Sequence, residues 1–235
     1  MLVNMPVSLP RVAGAIYEPA PHDPHPIRKE TKMKLEKVEK IINLEWQMFQ
    51  KVENIGGRAD CQSDFDTFYI MRRSQYENWT DEMLDLWIEY LEKSEAEGRN
   101  LLSEKYARMM QYTDLHYYNK HLKPVLPATP VRVFRLINEI VEQMITWEEE
   151  FAAKYPLVSG TGRPIRSDED YKGQTSLESY ARGELETYPE ELLIMYRDYI
   201  KELASKGESL AEKNQLTMVN LFGYDTIQEA EDSMK

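Results

Sequence analysis

The chain has a single cysteine, Cys61, in 235 residues. That excludes an internal disulfide and fits a reducing compartment. Its ten glycines are too few for the regular tight turns of an all-β fold. No apolar run approaches the roughly 18 residues that a membrane span needs. No basic segment followed by an apolar stretch opens the chain, so no secretory leader is expected. Basic residues are outnumbered, 29 against 41 acidic ones, for a net charge of −12. Contact with a phosphate backbone needs a basic face, so nucleic acid is excluded as a partner. The expectation is a cytoplasmic protein with neither nucleic acid nor membrane among its partners.

What the chain does contain is helical material. Residues are 42% hydrophobic and 30% charged, enough for one good core or two small ones under a well-solvated surface. Half of the twelve prolines fall early: Pro6, Pro10, Pro19, Pro21, Pro24 and Pro26. Proline removes a donor and disfavours helix before it, so residues 1–29 read as an extended arm. Pro124, Pro127 and Pro130 mark a linker over 124–130, separating helical blocks at 30–123 and 131–235.

The two blocks look like diverged copies of one unit. At a constant shift Arg73 meets Arg182, Leu84 meets Leu193 and Tyr90 meets Tyr199. Gly98 meets Gly207, Leu101 meets Leu210 and Met109 meets Met218. Each block reads as a long helix, an irregular Gly/Arg loop and three shorter helices. Gly98 and Gly207 supply the left-handed residue that ends a helix. Thr80, Asn100 and the Ser209/Glu212 pair start helices, as do Thr187 with Glu190 around Pro189 and Thr226 with Glu229. The expected fold is all-α: one globular domain of two tandem helical repeats.

Within these helices a few polar residues sit on apolar faces. On the first long helix the stripe through Ile42 and Phe49 passes Glu45, whose helical neighbours Ile41, Ile42, Met48 and Phe49 are all apolar. A carboxylate there must find a donor or stay neutral. One helix on, Arg72 interrupts a face of Phe68, Tyr69 and Tyr76, with Gln75 beside it. Guanidinium stacks on rings and grips carboxylate, so Glu45 and Arg72 are expected to face each other. They form the candidate catalytic pair, Glu45 as general acid or base. The second block holds a poorer copy: Glu148 lies among Met144, Ile145 and Phe151, and Glu184 between Tyr180 and Tyr188, while Ala181 stands where Arg72 would be.

The loops add candidate ligand-binding residues. Gly56-Gly57 permits a backbone nest for an anion, and Asn54, Arg58, Cys61 and Gln62 surround it. The matching second loop carries Arg163 and Arg166. With Gln75, Arg163, Arg182 and Glu184 these residues describe a site for something small and polar or anionic. The alternative is that the arginines simply tie helices together. Cys61 has no histidine partner to make it a nucleophile and reads as a packed thiol. His22 and His25 in the arm make a poor metal pair, and no Glu-x-x-His repeat is present. No metal site is expected, and no cofactor is implied.

These same segments carry a resemblance. EWQMFQKVENIGGRADCQ (45–62), TFYIMRRSQ (67–75), EAEGRNLLSEKYARMM (95–110), EEFAAKYPLVSGTGRPI (149–165) and YARGELETYPEELL (180–193) resemble a bacterial all-helical family known as a domain of unknown function. The resemblance covers about residues 38–230 and leaves the arm outside. It implies that Glu45, Asn54, Arg58, Cys61, Gln62, Arg72 and Gln75 share one neighbourhood, and it implies no reaction. Two functions follow: an enzyme or binding protein for a small polar or anionic molecule, or a non-catalytic interaction or regulatory module for a protein partner.

Overall fold

The computed structural model describes residues 26–54, 57–171 and 174–235, with side chains from Thr31 onward. The arm up to His25 and Gly56 of the expected anion nest lie outside them. The described residues form eleven α-helices and no strand. None of these helices is long and apolar enough to cross a membrane.

The first half holds α1 (Pro26–Gln50), α2 (Phe65–Tyr76), α3 (Asp81–Ala96) and α4 (Leu101–Thr113). Residues 26–29, expected as the end of the arm, are helical, because α1 begins at Pro26. Proline is suited to a first helical turn, where its missing N–H has no partner to lose. A short α5 (Leu115–Tyr117) and one π-helical turn (Tyr118–Leu122) lead to the linker. The second half holds α6 (Val131–Lys154), α7 (Pro156–Gly160), α8 (Leu177–Leu185), α9 (Glu190–Ser205), α10 (Leu210–Leu221) and α11 (Ile227–Ser233).

The boundaries follow the local chemistry. Thr80, Asn100, Ser209 and Thr226 each accept a backbone N–H at their helix N-terminus. After α3 and α9 the chain turns through Gly98 (φ 74°) and Gly207 (φ 71°). The next amides close back, Arg99 N–H to Ser94 carbonyl at 2.8 Å and Glu208 N–H to Leu203 carbonyl at 3.0 Å. One expected cap is corrected. The α9 N-cap is Pro189 with no side-chain bond. The Thr187 hydroxyl instead donates to the Glu184 carbonyl at 2.7 Å, because the residue ends α8 and does not start α9.

Packing crosses between the halves. α1 lies on α2 and α3, and α6 lies on α8 and α9. Helices also pack across the two halves: α4 against α8, α10 against α2, and α3 against α9. Aromatic rings fill the seam, with Trp87 4.6 Å from Tyr188, Trp79 5.5 Å from Tyr196, and Trp79 5.8 Å from Tyr188. α4 and α8 approach so closely that a Cβ on Gly183 would lie 2.6 Å from Met109 Cγ and 3.1 Å from the Lys105 carbonyl. Glycine there lets the side chains of Lys105 and Glu184 meet across the contact.

The linker is pinned from both sides. Arg108 of α4, buried with Glu186 and 2.6 Å from its carboxylate, also donates to the Pro127 carbonyl at 2.8 Å. Thr129 donates to the same Glu186 at 2.9 Å. At the far end, the Glu231 carboxylate of α11 accepts the Leu157 and Val158 amides at 2.9 and 2.8 Å. Negative charge is favourable at those unsatisfied N–H groups of α7.

Candidate functional site

The stripe of α1 points Glu45 inward, 1% exposed, as its apolar neighbours require. Arg72 of α2 meets it with Nε 2.9 Å from Oε2. The approach lies off the N–H axis, so the contact is an ion pair and Oε2 accepts no directed hydrogen bond. The other carboxylate oxygen, Oε1, accepts from the Tyr76 hydroxyl at 2.5 Å and from Trp87 Nε1 at 3.3 Å. The Arg72 guanidinium carbon sits 5.8 and 5.9 Å from the ring centroids of Phe68 and Tyr76. The pairing expected of Glu45 and Arg72 is present.

The network continues across the seam. Arg72 Nη1 donates to both oxygens of Glu184 in α8, at 3.1 and 3.2 Å. Gln75 Nε2 and the Tyr188 hydroxyl donate to Glu184 Oε1 at 3.0 and 2.9 Å. Lys105 of α4, 1% exposed, pairs with Glu184 Oε2 and donates to the Tyr180 hydroxyl. Glu45 and Glu184 are thus not two copies of one site. They are successive members of a single network, with Arg72 between them.

Burial and charge compete at each group. Burial pushes the Glu45 carboxyl up, and the Arg72 charge offsets it only in part. Burial acts the same way on Glu184, but the charges of Arg72 and Lys105 outweigh it and hold that carboxyl well below the usual range. For Arg72, burial favours the neutral form, and Glu184 and Glu45 more than reverse this, keeping it protonated. Glu184 is therefore the anionic centre, and Glu45 the group closer to neutrality.

Most of the loop candidates lie elsewhere. Buried Gln62 ends α1: its Nε2 donates to the Phe49 and Val52 carbonyls at 2.8 and 3.0 Å. Its Oε1 accepts from Asn54 at 2.9 Å and from the Ala59 amide at 3.0 Å. Arg58 bonds the Gln50 side chain and, at 2.6 Å, the Gln62 carbonyl. Gln62 thus satisfies the Phe49 and Val52 carbonyls where α1 ends without a glycine cap, and Asn54 and Arg58 hold Gln62 in place. Arg182 pairs with Glu178 at 3.0 Å and Asn138 at 2.6 Å, away from Glu45. Arg163 reaches the network differently: its guanidinium carbon lies 5.0 Å from the Tyr180 ring centroid. Cys61 lies half-buried within the field of Arg163, its thiol pushed up by burial.

A family model described as "Protein of unknown function (DUF4125)" matches residues 36–232. The chain belongs to this family. No curated protein and no solved structure matches it.

In this family member the sequence reading missed Lys105 and Trp87, and named Tyr76, Tyr180 and Tyr188 only as aromatic neighbours of Arg72 and Glu184. Lys105 carried a usable signal, since Leu101, Leu102 and Met109 surround it on α4 as apolar residues surround Glu45 on α1. The tyrosines and Trp87 carried none, because aromatics on an apolar face read as ordinary core. An open groove of about 430 Å³ lies apart from the network, between the ends of α6, α10 and α11, lined by Tyr155, Ser209, Glu212, Lys213, Leu216 and Thr226 among others. Its charges pair locally, Lys213 with Glu208 and Lys154 with Glu212. The chemistry of the network makes the stronger candidate.

Proposed function

We propose that the chain binds a small polar molecule, as a binding protein or an enzyme, where the buried network emerges between α4 and α8. One observation carries this reading. The interior members, Glu45, Arg72 and Glu184, are satisfied by one another and by Tyr76, Trp87, Gln75 and Tyr188. The outer end, Lys105 to Tyr180, leads to half-buried Tyr106, Cys61 and Arg163. Ordered charge that is closed inside and open at one end suits a site whose rigid support is already built. In this reading Glu45 and Arg72 are positioning residues. They fix Glu184, which fixes Lys105 and hence Tyr180.

The test is a thermal-shift screen of small acids, amines, sugars and phosphoesters on the wild type and on Tyr180→Phe. The expected outcome is a ligand-specific rise in Tm for the wild type. The variant should keep its unliganded Tm within about 6 °C, since a hydrogen bond to a charged group contributes about 1.5 kcal/mol, and should lose most of that rise. Ligands that stabilise both proteins equally would overturn the reading.

A further inference from the structure

Arg163, half-buried, differs from three fully buried cations of this protein. Arg72, Arg108 and Lys105 each hold a buried carboxylate. Arg163 donates from Nη1 to the Thr175 carbonyl at 2.9 Å and stacks over Tyr180, and no carboxylate pairs with it among the described residues. The acid that reaches it electrostatically, Asp170, is occupied by the Ser176 amide at 2.5 Å and by the Ser179 hydroxyl. Burial consequently lowers the pKa of Arg163, whereas for Arg72 the charges of Glu184 and Glu45 more than reverse the effect of burial. A desolvated guanidinium without a counter-charge is costly unless an anion joins it.

Beside the Thr175 carbonyl that Arg163 already holds and the Asp170 carboxylate it feels, several nearby groups have protons to give. Guanidinium has no acceptor atom. The Tyr180 oxygen already accepts from Lys105, so its proton remains to be given outward. The Tyr106 ring lies 5.9 Å from Lys105 Nζ, and its hydroxyl bonds no described residue. Tyr106 and Cys61 both feel the Arg163 charge, and burial keeps each in its protonated form. Protons left to give beside a cation without a carboxylate partner favour a ligand that accepts. A cationic ligand would meet Arg163 and Lys105, and a neutral one would leave the guanidinium unpaired.

We propose that Arg163, with the hydroxyls of Tyr106 and Tyr180, seats an oxyanion, the phosphate or carboxylate group of a small molecule. This rests on the reading that the open end of the network is a ligand site. It adds the charge and class of the ligand, and a residue from the second Gly/Arg loop to hold it. The planar fork of the guanidinium matches two oxygens of such a group at once.

Calorimetric titration of the full chain with inorganic phosphate and with acetate, against sodium chloride at matched ionic strength, tests the proposal. The two arms separate a phosphate from a carboxylate seat. The expected result is saturable binding of at least one anion, weakened at least about tenfold, or about 1.4 kcal/mol, in Arg163→Met. Tyr106→Phe should weaken it about threefold, and Arg163→Lys should retain part of the affinity. Arg163→Met should melt no lower than the wild type, because its guanidinium supports no buried carboxylate. Equal affinity in Arg163→Met, or no binding beyond that of chloride, would overturn the oxyanion seat. If a neutral or cationic compound from the screen nevertheless binds in a Tyr180-dependent way, the site stands and only its anionic character falls. If nothing binds, both fall.

Discussion

Glu184→Ala is expected to destabilise the protein by about 3–5 kcal/mol, the usual cost of leaving buried charge unpaired. Lys105 loses its carboxylate and Arg72 is left with Glu45 alone, since both cations hold Glu184. Gln75 and Tyr188 lose their acceptor as well. Urea unfolding of both proteins measures the difference, and a loss below about 1 kcal/mol would class the network as a surface-like pair. The pH dependence has a definite sign. Because the folded carboxyl titrates below its unfolded value, its stabilisation is complete above about pH 5 and is lost as the pH falls. The wild type should therefore shed stability on acidification faster than the variant.

Glu148→Gln is expected to act in the opposite sense. Burial pushes this carboxyl up to about 7, and among the described residues no cation or donor pairs with it. Its folded pKa lies above the unfolded value of about 4.3, so ionisation costs the folded state more than the unfolded one. The cost is absent at low pH, grows from about pH 4.5 to 7, and then stays level. Glutamine removes it. The variant should match the wild type near pH 4 and exceed it by about 1–2 kcal/mol at pH 8, the modest range reflecting a side chain that keeps some contact with water. Melting curves at both pH values check this, and a difference independent of pH would contradict it.

These two glutamates show where sequence reading succeeds and stops. The 3-4 spacing that placed Glu45 and Arg72 on apolar faces also put their charges together, because neighbouring helices in the chain leave few ways to bury two stripes. Caps such as Asn100 and Gly207 were legible for the same local reason. Glu184 was legible as a polar residue on an aromatic face, but its partners were not. Which helix covers α8 depends on α4 crossing to the other half, and no local pattern encodes that contact. Gln62 misled in another way. A glutamine beside a Gly/Arg loop looks like ligand chemistry, and only the path of the chain shows that its amide ends α1. Arg163 was named for its place in a loop. What distinguishes it is the missing carboxylate, which appears only once the buried Arg72, Lys105 and Arg108 have found theirs.

The central claim is that the network opens onto a ligand seat at Tyr180 and Arg163. Crystals of the full chain soaked in phosphate test it most directly. The account predicts tetrahedral density within hydrogen-bond reach of the Arg163 guanidinium and the Tyr180 hydroxyl. Density confined to the groove lined by Ser209 and Lys213, with Arg163 turned onto a carboxylate of its own chain, would contradict it.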